Sequence, residues 1–432
     1  MVRNCGNGKM VNNIVLRGDT KIGNVGAETD DEFLFKCFID HPALSEIKDL
    51  NNSKMFFLGS TGIGKTAILR MIKHQAKDSI DLELTEMSLR SISNSSAISF
   101  LLQLDIDISL FLQALWKRVI LVEYAKVFFK MNKTESKQNL FQRFTSNWRN
   151  VKTEQILKEF LETNEDSFWE TTDKTVIDVT QKLETDLSAE FGAEVAKAQG
   201  KLSYARSLGE ERKTQYQERA KKYVNSDLLT QLARVTSALA EESRDSRQSF
   251  FILIDKIDEP WVDEKLKNIL VHSLFEACKS LRKIRNMKVV VALRNDVYEK
   301  MNADFPASAF QMEKNEDFIA RIKWTKDELY SLVDKRINHL FRYKYTATDV
   351  HFGDVFKDNY DNKSKTFSYM LERTLNRPRD LIKFVNFCFE VSEGKSEISK
   401  NNFSTAEGLY SIDRRDALVH EWHHFSRPSS VY

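Results

Sequence analysis

Eight residues constrain this chain more than any others. Gly59-Ser60-Thr61-Gly62-Ile63-Gly64-Lys65-Thr66 follow the apolar run Met55–Leu58 and precede the apolar helical pattern Ala67–Ile72. A glycine, four residues, a glycine, a lysine and a hydroxyl residue between a strand and a helix is a phosphate-binding arrangement. The glycines let the backbone take positive φ and approach phosphate oxygens closely. Successive backbone N–H groups then form an anion nest, backed by the positive end of the following helix. Gly59, Ser60, Thr61, Gly62, Ile63, Gly64, Lys65, Thr66 and Ala67 are the candidate binding residues. Lys65 reaches the β- and γ-phosphates, and the Thr66 hydroxyl is a candidate Mg²⁺ ligand.

The rest of the chain must supply a sheet for this loop. Short buried-strand runs occur at Met55–Leu58, Leu82–Leu84, Phe250–Ile254 and Val289–Leu293. Continuous apolar runs of this kind fit a parallel sheet covered on both faces. With helical patterns between them, the expected fold class is α/β. After Leu293 no strong strand is expected. The chain has 14 glycines and 5 prolines, where average usage would give roughly 30 and 22. Few breakers imply long helices and few tight turns.

More than 160 residues separate Leu84 from Phe250. Ser109–Lys130 reads as one helix, with Leu112, Leu115, Val119, Val122 and Ala125 at helical spacing. From about Thr153 a polar helical pattern carries Val176, Val179, Leu183, Leu187, Phe191 and Val195, and it resumes from Leu202 to Leu239. This predicts a coiled-coil-like helical insertion that protrudes from the sheet domain. Thr325–Phe341 and Arg379–Val391 read as amphipathic helices, the second starting at Asn376-Arg377-Pro378. The expected organisation is a first part of the core over 1–150, the insertion over 151–247, a second part of the core over 248–306, and a helical lid over 307–432. No fixed-period repeat is present.

A phosphate loop of this kind needs a carboxylate on a neighbouring strand to hold Mg²⁺. Phe250–Ile254 is wholly apolar and ends in Asp255, at the carboxyl end where such sheets bind ligands. Hydrolysis needs a second carboxylate to polarise water. Asp258 is the first candidate and Glu259 the second, with Pro260 biasing Glu259 towards extended backbone. Val289–Leu293 ends in Arg294-Asn295-Asp296, and Arg294 is a candidate γ-phosphate sensor. Arg379, in Asn376-Arg377-Pro378-Arg379-Asp380, is a candidate nucleotide contact from the C-terminal region. A salt bridge is the plainer alternative for each arginine.

In this order the parts resemble the STAND and AAA+-related P-loop ATPases, especially the NACHT and KAP type groups of bacteria. The resemblance runs from Gly59 to Asp380, about three quarters of the chain. Asp255, Asp258 and Glu259 are similar in arrangement to the NACHT metal-and-water segment. Arg294 follows its strand as that family's sensor arginine does, and Asn376–Arg379 is similar to its lid turn. The resemblance implies the additional-strand type of P-loop fold, Mg²⁺ and ATP as cofactors, and an ATP-driven switch that oligomerises or controls a separate effector. Many such proteins serve in stress signalling or antiviral defence. Lys256 stands where most ATPases of this type carry the hydrolytic acid, so slow turnover is expected.

Other signals point elsewhere. Lys197–Lys222 holds eight Lys or Arg, among them Lys213, Lys221 and Lys222, against three Glu, with Tyr204, Tyr216 and Tyr223 interleaved. That basic stretch supports a second reading, a nucleic-acid ATPase acting as loader or translocase; a solvated helical face is the plainer account. His420-Glu421-Trp422-His423-His424 matches a zinc-peptidase motif, but no Asp, Glu, His or Cys follows to complete the ligand set. Asn132-Lys133-Thr134-Glu135 approaches a guanine-recognition motif but precedes the acidic strand and ends in Glu, which favours ATP over GTP.

Lys plus Arg total 65 and Asp plus Glu 63, a net of +2, so overall charge does not argue for nucleic acid or membrane. Cys5, Cys37, Cys278 and Cys388 form no CxxC pair, which fits a reducing cytoplasmic compartment. Ala97–Trp116 is the most apolar long window, yet Asp105 and Asp107 interrupt it, so no membrane span is expected.

Overall fold

The computed structural model describes residues 15–82, 91–104, 106–128, 151–163, 172–192, 214–215, 218, 227–245, 248–257, 264–304, 309–344, 349–357 and 365–422. The chain divides into two compact units. One comprises Pro42–Ser60 and Leu69–Arg321; the other comprises Met1–His41, Thr61–Ile68 and Ile322–Tyr432. The fold is α/β, with a helical C-terminal region.

The first unit holds a five-stranded sheet of β1 (Phe56–Gly59), β2 (Asp78–Asp81), β3 (Phe250–Ile254), β4 (Met287–Arg294) and β5 (Ile319–Arg321). The order is β2-β3-β4-β1-β5 and every pairing is parallel. One strand, β4, therefore separates β1, which leads into the glycine loop, from β3, which ends before Asp255. β1, β3 and most of β4 are buried along their whole length. That burial is why their sequences are unbroken apolar runs rather than alternating ones.

The helix Ser109–Phe128 shows how the core closes. It packs on β3 and on the helix Glu264–Leu281. Its Trp116 indole donates to the Leu270 carbonyl at 3.1 Å, and its Tyr124 hydroxyl to Asn286 Oδ1 at 2.8 Å. Both aromatic side chains are buried, and each polar tip finds a partner, as burial demands.

Two expectations about strands need correction. The strand expected at Leu82–Leu84 lies earlier, at Asp78–Asp81; positions 83 and 84 fall outside the described residues. β2 is half-buried and, among the described residues, paired only on one side, so an edge strand here tolerates Asp78, Ser79 and Asp81, and Lys73 pairs with Asp81. A short strand does follow Leu293: β5 joins β1, extended by Phe318, whose carbonyl accepts from the N–H groups of Met55 and Phe56 at 2.8 and 3.0 Å. Three residues are too few for periodicity to register.

The insertion, in its described part, does not protrude. Thr172–Phe191 packs on Ser96–Gln103 and on Ser109–Phe128, while Asp227–Glu242 packs on Val151–Thr163 and on Ser109–Phe128. Val176, Leu183, Leu187 and Phe191 are buried in the same hydrophobic core as the sheet. Their helical stripe is a core-facing stripe rather than a seam for a partner. The helix Ala309–Glu316 and β5 also belong to the sheet unit, and the C-terminal segment of the other unit begins at Ile322.

The second unit is helical. Lys326–Lys344, Thr366–Arg373, Pro378–Glu390 and Lys400–Trp422 surround a core that also takes in Leu16, Ile22, Phe33 and Cys37 from the N-terminal segment. A buried ion pair ties the segments together: Arg336 donates to Asp30 Oδ2 at 2.7 Å and to the Ile22 carbonyl at 2.9 Å. Asp30 Oδ1 accepts in turn from the Asn24 N–H at 2.7 Å. The further bonds to the Ile22 carbonyl and from the Asn24 N–H offset part of the cost of burying this charge pair, although Arg336 Nε is buried without a hydrogen-bond partner.

Candidate functional site

The glycine loop begins where β1 ends, at Gly59, and closes where the helix Lys65–Gln75 starts. Gly62 has φ +78° and Gly64 φ +106°. Both are left-handed conformations that a side chain would strain. Ile63, between them, turns its side chain inward and is nearly buried. Lys65 and Thr66 occupy the first turn of the helix, the end whose dipole favours an anion. Ser60, Thr61, Gly62, Gly64, Lys65, Thr66 and Ala67 are all partly exposed.

Two groups from the C-terminal region hold this loop. The Arg379 N–H donates to the Gly62 carbonyl at 3.3 Å. The Trp324 indole N–H donates to the Ile63 carbonyl at 2.8 Å. Arg379 is the second residue of the helix Pro378–Glu390, with Pro378 at its first position and Arg377 as N-cap. Proline suits that position because its missing N–H would have no helical partner. Leu375 and Asn376 both have φ +53°, a tight left-handed turn that delivers Arg377-Pro378-Arg379. The expected lid turn and the expected loop are thus in contact.

No sequence motif marks Trp324. It precedes a reciprocal cap: the Thr325 N–H donates to Glu328 Oε2 at 2.7 Å and the Glu328 N–H to Thr325 Oγ1 at 3.2 Å. Burial opposes the Glu328 carboxylate, yet the Thr325 hydrogen bonds and nearby His41 hold its carboxyl below the ordinary range. Buried His41 donates from Nε2 to the Lys323 carbonyl at 2.9 Å, and its ring lies edge-on to Trp324 at 5.3 Å. The Thr-x-x-Glu spacing was the available signal that a helix starts at this point.

In the sheet unit, Asp255 is half-buried directly after β3, and its Oδ1 accepts from the Lys256 N–H at 2.9 Å. Lys256 is exposed and left-handed, with φ 60°, so the chain turns sharply after the acid. Arg294 closes β4 directly beside Gly59 in the β1 register. Its guanidinium grips Asp296 with two bonds, Nε to Oδ1 at 2.9 Å and a terminal nitrogen to Oδ2 at 2.8 Å. The salt-bridge alternative for Arg294 is therefore occupied by Asp296. Gly59, Asp255 and Arg294 all lie at the carboxyl ends of parallel strands, the end at which such sheets take ligands.

Asp258 and Glu259, the candidate hydrolytic acids, lie outside the described residues. So do all eight basic residues of Lys197–Lys222, the Asn132–Glu135 segment and His424. His420 is on the helix Lys400–Trp422. Among the described residues no group of three or more His, Cys, Asp or Glu side chains could hold a metal ion, and none of the helices is long and apolar enough to cross a membrane. Cys37, Cys278 and Cys388 are free thiols in the core, and burial pushes each of them up.

Residues 327–419 match the FunZ-associated C-terminal helical domain. The match covers the helices from the second residue of Lys326–Lys344 into Lys400–Trp422, including Arg379, and stops short of Trp324 and the glycine loop. No curated protein and no solved structure matches the chain.

Proposed function

We propose that the protein is a Mg²⁺-dependent, ATP-binding P-loop NTPase of the additional-strand type, acting as a slow nucleotide-driven switch. The observation that carries this reading is the loop itself. Two left-handed glycines stand between the end of a buried parallel strand and the N-terminus of a helix headed by Lys65 and Thr66. Backbone amides at such a junction suit phosphate oxygens better than any other common ligand. The strand order supports the same reading, since β4 intervenes between the loop strand and the acid strand.

In this account Lys65 and the amides of Gly62 to Thr66 bind the phosphates. Thr66 and Asp255 are the magnesium ligands, a hydroxyl and a carboxylate being the hard oxygen donors that ion prefers. Magnesium, when bound, would neutralise charge on the phosphates. Asp258 or Glu259 takes the proton of the attacking water, and Arg294 turns from Asp296 towards the terminal phosphate. Arg379 contacts the nucleotide from the helical region. The output is a change in assembly or in a separate effector, with stress or antiviral defence as the proposed setting and the cytoplasm as the proposed compartment.

Phosphate release by the purified chain tests the reading. Slow Mg-ATP hydrolysis, abolished by Lys65→Ala and by Asp255→Asn, is expected. Fast turnover without any partner would contradict a switch, and activity retained in both variants would contradict the site.

A further inference from the structure

Two hydrogen bonds that reach the glycine loop from the C-terminal region end on carbonyl oxygens, those of Gly62 and Ile63. The chain has no cis peptide bonds among the described residues. In a trans peptide the C=O and the N–H of the same plane point in opposite directions. The Gly62 carbonyl shares its plane with the Ile63 N–H, and the Ile63 carbonyl shares its plane with the Gly64 N–H. Holding those two oxygens on one side of the loop therefore aims two amides to the other side. The glycines on which these planes hinge have broad conformational freedom of their own, so bonds to the carbonyls bear on how the amides are aimed.

We propose that Trp324 is a positioning residue for the phosphate site: its indole N–H, together with the Arg379 main-chain N–H, fixes the loop so that the Ile63 and Gly64 amides are preorganised for a polyphosphate. The proposal rests on the nucleotide-binding reading and deepens it. The indole is well placed to be rigid. Trp324 is half-buried, an added Cβ on Gly64 would lie 3.8 Å from its ring, and Ile63 beneath it is nearly buried. On the other side, buried His41 meets the ring edge-on and fastens the preceding carbonyl, at Lys323. The Thr325–Glu328 cap fixes the following residue. A donor held on both flanks costs little entropy when it pins a glycine-rich loop, so the nest need not be ordered by the ligand alone.

The proposal makes Trp324 act on the phosphates and not on the base, which decides the test. The full chain is compared with Trp324→Phe and with Trp324→benzothienylalanine, which keeps the ring outline and puts sulfur where the N–H stands. Each is titrated calorimetrically with Mg-ATP and with magnesium tripolyphosphate. Loss of one preorganising hydrogen bond is expected to weaken both ligands alike, by about fivefold, with an unchanged melting temperature for the ligand-free benzothienylalanine protein. Unchanged affinity for both ligands would overturn the proposal. So would weakened ATP with normal tripolyphosphate, which would make the indole a base contact, or a lowered melting temperature with normal affinity, which would make it only structural. If the wild-type chain binds neither ligand, the nucleotide reading itself fails and the positioning role falls with it.

Discussion

An added Cβ on Gly62 would stand 3.1 Å from the Cβ of Arg379. Few real side-chain contacts are that close, and Gly62 also has the left-handed φ of +78°. The loop and the start of the helix Pro378–Glu390 therefore meet only because residue 62 has no side chain. Gly62→Ala is expected to cost about 1–2 kcal/mol in backbone strain and to push Arg379 away from the loop. Urea denaturation should register the loss, and Mg-ATP affinity should fall on the order of tenfold. Wild-type affinity in this variant would mean that the loop geometry is irrelevant to binding.

Arg294 is held by Asp296 through a two-bond fork beside Gly59. A sensor must exchange that partner for a phosphate. Arg294→Ala is expected to leave ADP affinity unchanged and to lower the hydrolysis rate on the order of a hundredfold, the usual scale for losing one donor to developing phosphate charge. Single-turnover phosphate release beside ADP titration would show the split. Equal loss of ADP binding and of rate would mark Arg294 as structural.

The opposite end of the sheet gives a control. Lys288, the second residue of β4, is buried, and its Nζ donates to the carbonyls of Glu46, Asp49 and Asn52, the first and last at 3.4 and 3.1 Å. Burial brings its pKa down to about 8, with Asp49 opposing and Arg282 reinforcing the shift. It lines a cavity of about 220 Å³ with Arg282 and Arg285. Six residues along the strand place it roughly 20 Å from Arg294. Lys288→Met strands three acceptors and is expected to cost about 2 kcal/mol without changing nucleotide affinity of the folded protein. Denaturation and titration of the same preparation would separate the two effects.

How much of this was readable from sequence depends on where the signal resides. The glycine loop, β3 and the start of the helix at Pro378 were legible because local chemistry decides them: left-handed glycines, an unbroken apolar run, a proline at a helix's first position. β2 and β5 were misplaced or missed because an edge strand is defined by backbone pairing that leaves little trace in side chains. The helical stripe from Val176 to Phe191 was read correctly as a stripe, but periodicity does not say what covers it, and here the sheet unit's own helices do. Trp324 and Lys288 are not legible in sequence because each makes its contact with residues more than 200 positions away, and no motif announces such a bond.

His351 offers a pH-dependent check on the helical unit. Its Nδ1 lies 2.9 Å from Asp334 Oδ2, and that hydrogen bond, outweighing slight desolvation, raises its pKa above 6.5. A raised folded-state pKa stabilises the fold fully below the unfolded value and loses that contribution as pH rises through the folded one. The pair is exposed, so the effect is small. The melting temperature of wild type is expected to exceed that of His351→Ala near pH 5.5 and to approach it near pH 9. A gap that widens with pH would contradict the assignment.

The central claim is that a nucleotide triphosphate binds the loop from Gly59 to Thr66. Equilibrium titration of the full chain with Mg-ATP, beside Lys65→Ala, tests it most directly. Saturable one-to-one binding by the wild type, weakened on the order of a hundredfold by removing the ammonium, is the expected result. Binding that is absent in the wild type, or identical in the two proteins, would contradict the account.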